Sequence, residues 1–149
     1  MRLVVGTASP IEVLSRSKTV AVVGASRDPE KEAHTVPLYL KRRGYQVIPV
    51  NPSADRIFDE RAYPSLGDIP EQIARTIDVV EVFRPSEELP GVARQVVALS
   101  KRTGRPVAFW AQQGLESDEA KRILDDAGIP YVMDACMRAL HQIYVRKTA

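Results

Sequence analysis

Apolar residues along the chain are concentrated in five short runs rich in valine, separated by longer segments of mixed polarity. The short runs predict strands at residues 19–23, 46–50, 78–83, 107–110 and 131–133. The segments between them predict helices at about residues 35–43, 70–74, 86–102, 117–128 and 136–145. Strands that alternate with helices are typical of α/β proteins, so we expect about five strands in one doubly wound parallel sheet.

Local signals at two places predict where helices begin. Ser9 is followed at helical spacing by Glu12, which is typical of a helix start, so we expect a leading helix at about residues 9–16. Farther along, Pro29 and the charged residues around it are expected to delay the second helix until about Thr35.

Length and composition limit the class of protein. The 149 residues are expected to form one domain, 1–149, with its core at about residues 18–141. A net charge of +2 gives no electrostatic reason to expect a nucleic acid or a membrane as a partner. No apolar run approaches the roughly 20 residues that span a bilayer. The apolar part of residues 1–6 is too short for a signal peptide, so we expect a cytoplasmic protein.

Cysteine and histidine are too sparse to suggest a metal centre. Cys136 is the single cysteine, and the two histidines, His34 and His141, lie far apart in the sequence. We therefore expect no metal and no disulfide framework. His34 lies near the turn after the first predicted strand and is a candidate hydrogen-bond donor there. Cys136 is interpreted as a small buried apolar residue, with a reactive thiol as the alternative.

A turn of small residues, here called the phosphate turn (residues 24–27), follows the first predicted strand. Gly24, Ala25 and Ser26 would let backbone N–H groups approach a phosphate, and Ser26 adds a hydroxyl donor. Arg27 and Lys31 add positive charge to the same segment. A tight turn between strand and helix, without any ligand, would need the same small residues, and this alternative stays open.

The phosphate turn does not match the fingerprint of dinucleotide-binding proteins. Counted from Gly24, that fingerprint needs glycines at the positions of Ser26 and Pro29. The second strand ends at Asn51 and Pro52, where NAD-binding proteins carry an acidic residue for the ribose hydroxyls. The neutral Asn51 tolerates a phosphorylated ribose better than a carboxylate would. An Asx turn made rigid by Pro52 is the alternative.

The ends of the third and fourth strands carry further candidate residues. Phe83, Arg84 and Pro85 could flank an adenine while the guanidinium faces a phosphate. A core phenylalanine beside a solvated arginine is the alternative. Gln112 and Gly114 offer amide groups that could pair with an amide-bearing ligand. In a parallel sheet all these strand ends meet at one edge, which is where such sheets bind ligands.

Taken in order, these elements resemble the small stand-alone CoA-binding proteins, the YccU-like CoA-binding domain family. That family is related to the CoA-binding domain of the succinyl-CoA synthetase α subunit. The matching segments are Val-Gly-Ala-Ser at 23–26, Pro-Val-Asn-Pro at 49–52, Tyr-Pro-Ser-Leu at 63–66, Val-Phe-Arg at 82–84, Trp-x-Gln-x-Gly at 110–114 and Asp-x-Cys at 134–136. Pro-Val-Asn-Pro together with Phe-Arg is the most specific part of this resemblance.

The resemblance implies a Rossmann-like domain that binds CoA through its ADP part. Carried across by position, residues 24–27 would hold the pyrophosphate and residues 51–52 would border the nucleotide. Residues 83–85 would line the adenine side, and Gln112 and Gly114 would lie towards the pantetheine arm.

Three positions depart from the family's pattern. Ala33 stands where many relatives have serine, Ala135 where they have arginine, and Leu140 where an acid is common. Each change removes a potential hydrogen bond. A mixed disulfide between CoA and Cys136, which follows the fifth strand near the same edge of the sheet, is a further hypothesis.

The sequence thus favours a module that binds CoA or acyl-CoA and performs no catalysis of its own. One alternative is the CoA-binding subunit of an acyl-CoA ligase, which would need a partner chain for catalysis. Another is an NAD(P)-binding redox or sensor domain, against which Ser26, Pro29 and Asn51 count. The acyl group, any protein partner and the oligomeric state are not indicated by the sequence.

Overall fold

The computed structural model describes residues 8–145, so the apolar segment at residues 1–6 lies outside the described part. Helix α1 (Pro10–Arg16) opens this part. The Ser9 hydroxyl accepts a hydrogen bond from the Glu12 N–H at 3.3 Å, which confirms the predicted helix start.

Five parallel strands form the central sheet, which confirms the predicted single-domain, Rossmann-like α/β fold. The strands in chain order are β1 (Thr19–Val23), β2 (Gln46–Val50), β3 (Arg56–Ile57), β4 (Glu60–Arg61), β5 (Val79–Val82), β6 (Ala108–Ala111) and β7 (Tyr131–Val132). The sheet order is β2-β1-β5-β6-β7, while β3 and β4 pair separately as a small hairpin. From β1 the chain adds β2 on one side and β5, β6 and β7 on the other, so the strand order changes direction between β1 and β5. The carboxyl ends of these two strands form the switch point at which such sheets bind ligands.

Helices cover both faces of the sheet. In the described residues they are α1, α2 (Glu32–Arg42), α3 (Glu71–Ala74), α4 (Leu89–Thr103), α5 (Asp118–Asp126) and α6 (Met137–Leu140). Ala21 and Val80 belong to the apolar cluster under α3, α4 and α5. Val20 and Val22 belong to the cluster under α1, α2 and α6. Among residues 8–145, no helix has both the length and the apolar character needed to cross a bilayer.

Helix α2 begins at Glu32, earlier than the predicted start at Thr35, and it contains Pro37 beyond its first turn. Proline has no N–H, so the usual helical bond from residue 37 to the Ala33 carbonyl cannot form. That carbonyl instead accepts a hydrogen bond from the Ser26 N–H at 3.1 Å. The proline therefore leaves a helix carbonyl available to the loop that follows β1.

Two further segments differ from the sequence-based prediction. The β3–β4 hairpin lies between residues 51 and 69, where the sequence predicts neither a strand nor a helix. Phe58 and Asp59 at its tip have φ angles of 58° and 61°, a conformation usually signalled by glycine or asparagine. The predicted final helix at 136–145 consists of α6 followed by a wider π-helical turn, His141–Val145.

Candidate functional site

Gly24 lies where β1 passes closely beside the end of β5. Its φ angle is +88°, and a Cβ atom at this position would stand 2.5 Å from the Phe83 carbonyl oxygen. The Gly24 N–H also donates to the Val50 carbonyl at 3.1 Å. Glycine is therefore required here by both the backbone conformation and the close approach.

The rest of the phosphate turn is held by side chains from neighbouring elements. Asn51 donates through Nδ2 to the Ala25 carbonyl at 2.8 Å, and its Oδ1 accepts from the Ser53 N–H at 2.6 Å. His34 Nδ1 lies 2.7 Å from the Ser26 carbonyl oxygen. A carbonyl can only accept, so Nδ1 is the donor. Asn51 thus forms the Asx turn that the sequence left as an alternative, and it also braces the phosphate turn.

Next to this turn lies a cleft of about 580 Å³, here called the strand-end cleft, at the carboxyl ends of β1, β2 and β5. Several candidate residues from the sequence line it: Gly24, Ala25, Ser26, Lys31, Asn51, Pro52, Phe83 and Arg84. Arg27, His34, Pro85, Gln112 and Gly114 are not among its lining residues. The structure thus brings the ends of three strands together and leaves the fourth apart.

Two cations and one carboxylate set the charge of the strand-end cleft. The Arg84 guanidinium forms a paired contact with the Glu88 carboxylate, at 3.1 Å from Nε and 2.9 Å from Nη2. Both side chains are nearly half exposed, at 45% and 47%. The Lys31 ammonium has no carboxylate partner among the described residues. Sequence reasoning missed Glu88, although an acid four residues after Arg84, where the predicted helix at 86–102 begins, was the available signal.

Gln112 and Gly114 have structural partners of their own. Gln112 is buried, and its amide bridges the Glu32 carboxylate and the Met137 N–H, each at 3.4 Å. The Gly114 N–H donates to the Asp134 carboxylate at 2.7 Å. These groups connect the start of α2, the end of β6 and the start of α6.

Glu81 is a buried acid that sequence reasoning did not identify. In the sheet register it lies between Val22 of β1 and Trp110 of β6, and all three residues are fully buried. Neither carboxyl oxygen has a hydrogen-bond partner among the described residues. Burial raises the pKa of Glu81 to about 8, so the group is mainly protonated at neutral pH. A lone glutamate within a valine-rich strand was the available signal.

Cys136 is half-buried directly before α6 and packs against the apolar cluster under α1, α2 and α6. It does not line the strand-end cleft. Among residues 8–145, no group of three or more His, Cys, Asp or Glu side chains is arranged to hold a metal ion.

Comparison with known proteins identifies the family of the chain. A family model described as a CoA binding domain matches residues 18–142. The uncharacterized protein YneT of Bacillus subtilis is 42% identical over 132 residues, covering 89% of this chain and 91% of YneT. An ADP-forming acetate–CoA ligase of Archaeoglobus fulgidus is 38% identical over 77 residues, which are 50% of this chain and 11% of the ligase. A solved Thermus thermophilus structure is 40% identical with a TM-score of 0.77, covering 88% of this chain and 92% of that one.

Proposed function

We propose that this chain, which belongs to the CoA-binding domain family, binds coenzyme A or an acyl-CoA in the strand-end cleft. The ADP part of the ligand occupies the cleft, and the chain catalyses no reaction by itself. The observation that carries this proposal is the place of the phosphate turn, at the switch point of the sheet with Lys31 and Arg84 beside it.

The chemistry of the phosphate turn supports a pyrophosphate ligand. The Ser26 hydroxyl accepts a hydrogen bond from the Asp28 N–H at 3.0 Å, and its own hydrogen has no acceptor among the described residues. Lys31 also lines the strand-end cleft, and its ammonium group forms no ion pair within residues 8–145. A pyrophosphate offers oxygens to both groups, and charge-assisted bonds of this kind are about twice as strong as neutral ones.

The position of Asn51 supports CoA over NAD. Its side chain is held by the Ala25 carbonyl and the Ser53 N–H. It therefore does not supply the carboxylate with which NAD-binding proteins hold the ribose hydroxyls. CoA carries a phosphate on this ribose, and a neutral residue avoids the repulsion that a carboxylate would cause.

A second candidate function is that of a CoA-binding subunit in an ADP-forming acyl-CoA ligase. The similarity to part of the Archaeoglobus fulgidus ligase favours it. The purified chain should form no acetyl-CoA from acetate, ATP and CoA, because catalysis would need a partner chain. Acetyl-CoA formation by the chain alone would contradict the non-catalytic proposal.

Calorimetric titration of the purified chain with CoA, dephospho-CoA, NAD and NADP tests the binding proposal. We expect CoA to bind, dephospho-CoA to bind more weakly because it lacks the 3′-phosphate, and NAD to bind weakest. Preference for NAD or NADP over CoA would contradict the proposal and favour a redox or sensor domain.

A further inference from the structure

A second cleft, of about 700 Å³, opens beside α2 and is here called the arginine cleft. Its polar lining residues are Thr35, Tyr39, Arg42, Arg43, Arg138 and Gln142. No aspartate or glutamate of the described chain lines it. Three arginines therefore line one cleft, to whose wall the described residues contribute no carboxylate.

The positive charge of the arginine cleft is not neutralised within residues 8–145. The ion pairs of this part of the chain are made by other cations, namely Lys41, Arg75, Arg84, Arg94, Arg105 and Lys121. The Arg43 guanidinium instead lies over the Tyr39 ring, 5.2 Å from its centroid. Such stacking leaves the N–H groups at the guanidinium edge able to donate to a ligand.

Helix capping explains only part of this cluster. Arg42 and Arg43 lie at the carboxyl end of α2, where positive charge is favourable because of the helix dipole. Arg138 belongs to α6 and reaches the same cleft from the other side. Its presence there places a third positive charge next to two like charges, and the helix dipole of α2 gives no reason for it.

The arginine cleft is separate from the strand-end cleft. Ala33 lines the strand-end cleft and Thr35 lines the arginine cleft. Residues two apart on an α-helix point about 200° apart around its axis. The two clefts thus lie on opposite sides of α2.

We propose that the arginine cleft is a second binding site, which takes a small ligand carrying a di- or triphosphate group. Guanidinium groups bind phosphate oxygens through two parallel hydrogen bonds. A single carboxylate would supply only one negative charge against three cations. A phosphate chain supplies several negative charges in a small volume, which matches a cleft walled by three arginines.

Calorimetry with inorganic triphosphate tests this proposal on the whole chain, in magnesium-free buffer. We expect binding that persists when one equivalent of CoA fills the strand-end cleft; a larger excess is avoided, because CoA itself carries a diphosphate. Arg42→Gln and Arg138→Gln should each weaken it by about tenfold or more, because each removes charged hydrogen bonds. Titration with ATP shows whether the site also recognises a nucleoside. Tighter binding of ATP than of triphosphate would indicate a nucleotide ligand, and equal binding would indicate that only the phosphate chain is recognised.

Arg122→Gln is the matched control, because Arg122 is exposed on α5 and has no ion-pair partner among the described residues. It should bind triphosphate like the wild-type protein. The proposal is overturned if the wild-type protein binds no triphosphate, if one equivalent of CoA abolishes its binding, or if Arg122→Gln weakens binding as much as Arg138→Gln. Binding of an oligoglutamate peptide but not of triphosphate would also overturn it, in favour of an acidic protein partner.

Discussion

At the scale of single residues, the charge of the strand-end cleft depends on the Arg84–Glu88 pair. The guanidinium that would face a phosphate already contacts the carboxylate of Glu88, four residues farther along the chain. Exposed pairs of this kind add only about 0–1 kcal/mol to stability. In the proposed complex their main effect would be on the ligand, since a bound phosphate would share Arg84 with Glu88.

Glu88→Gln and Arg84→Ala should therefore change CoA affinity in opposite directions. Glu88→Gln removes negative charge from the cleft and should tighten binding severalfold. Arg84→Ala removes a charge-assisted contact and should weaken binding by about 1.5–3 kcal/mol. Isothermal titration with CoA measures both changes.

The Glu71–Arg75 pair provides a matched control, because it has the same four-residue spacing and is also exposed. Glu71→Gln should leave CoA affinity unchanged. Weaker binding by Glu88→Gln would contradict this interpretation of Glu88, since it would mean that the carboxylate is needed to hold Arg84 in place.

The buried Glu81 carboxyl should make the free energy of unfolding depend on pH. Burial raises its pKa from 4.5 to about 8, so between these values the folded chain keeps a proton that the unfolded chain has lost. The free energy of unfolding should then fall as the pH rises through this range, by up to about 1.4 kcal/mol per pH unit, and level off above it. Urea unfolding at a series of pH values measures this slope.

Glu81→Leu should remove that part of the slope and raise stability at pH 8, because an apolar side chain needs no hydrogen-bond partner between Val22 and Trp110. An unchanged slope in the variant would show that the Glu81 carboxyl does not titrate in this range.

At the scale of elements, the phosphate turn depends on the close approach of β1 and β5. In Gly24→Ala the new Cβ would meet the Phe83 carbonyl at 2.5 Å and the Arg84 Cδ at 3.0 Å. The variant should lose more than about 1–2 kcal/mol of unfolding free energy, the typical cost of positive φ alone. It should also bind CoA more weakly, since Arg84 must move. Denaturant unfolding and CoA titration measure the two effects.

Gly44→Ala measures the cost of a positive φ angle without any close contact of the new Cβ. Gly44 has a φ angle of +97°, and a Cβ there meets nothing within 4 Å. This variant should show only the cost of positive φ and keep its CoA affinity. An equal loss of stability in the two variants would contradict the contact with Phe83.

The elements that could be predicted from sequence are those with a local signal. The valine-rich runs predicted the five strands of the sheet, and Ser9 predicted the start of α1. The early start of α2 could not be predicted, because its N-cap residue, Lys31, makes no side-chain cap hydrogen bond and so gives no local start signal. The β3–β4 hairpin turns at Phe58, a residue with no turn preference.

At the scale of the whole molecule, the order of strands explains how well the site could be predicted. Parallel strands put their carboxyl ends at one edge, so the turn after β1, Asn51 and Arg84 could be expected to meet. The direction of side chains at that edge is set by packing. For this reason the inward position of Gln112 was not visible in the sequence, and the only signal for the buried Glu81 was an acid within the valine-rich β5.

The claim that CoA binds at the carboxyl ends of β1, β2 and β5 is tested by amide NMR spectra of the wild-type chain during titration with CoA. We predict shifts at residues 24–26, Ser53 and Arg84, which lie in or beside the strand-end cleft. Arg105 and Ile129, in the groove between α4 and α5, should not shift. Shifts centred on that groove, with none at residues 24–26, would contradict the claim.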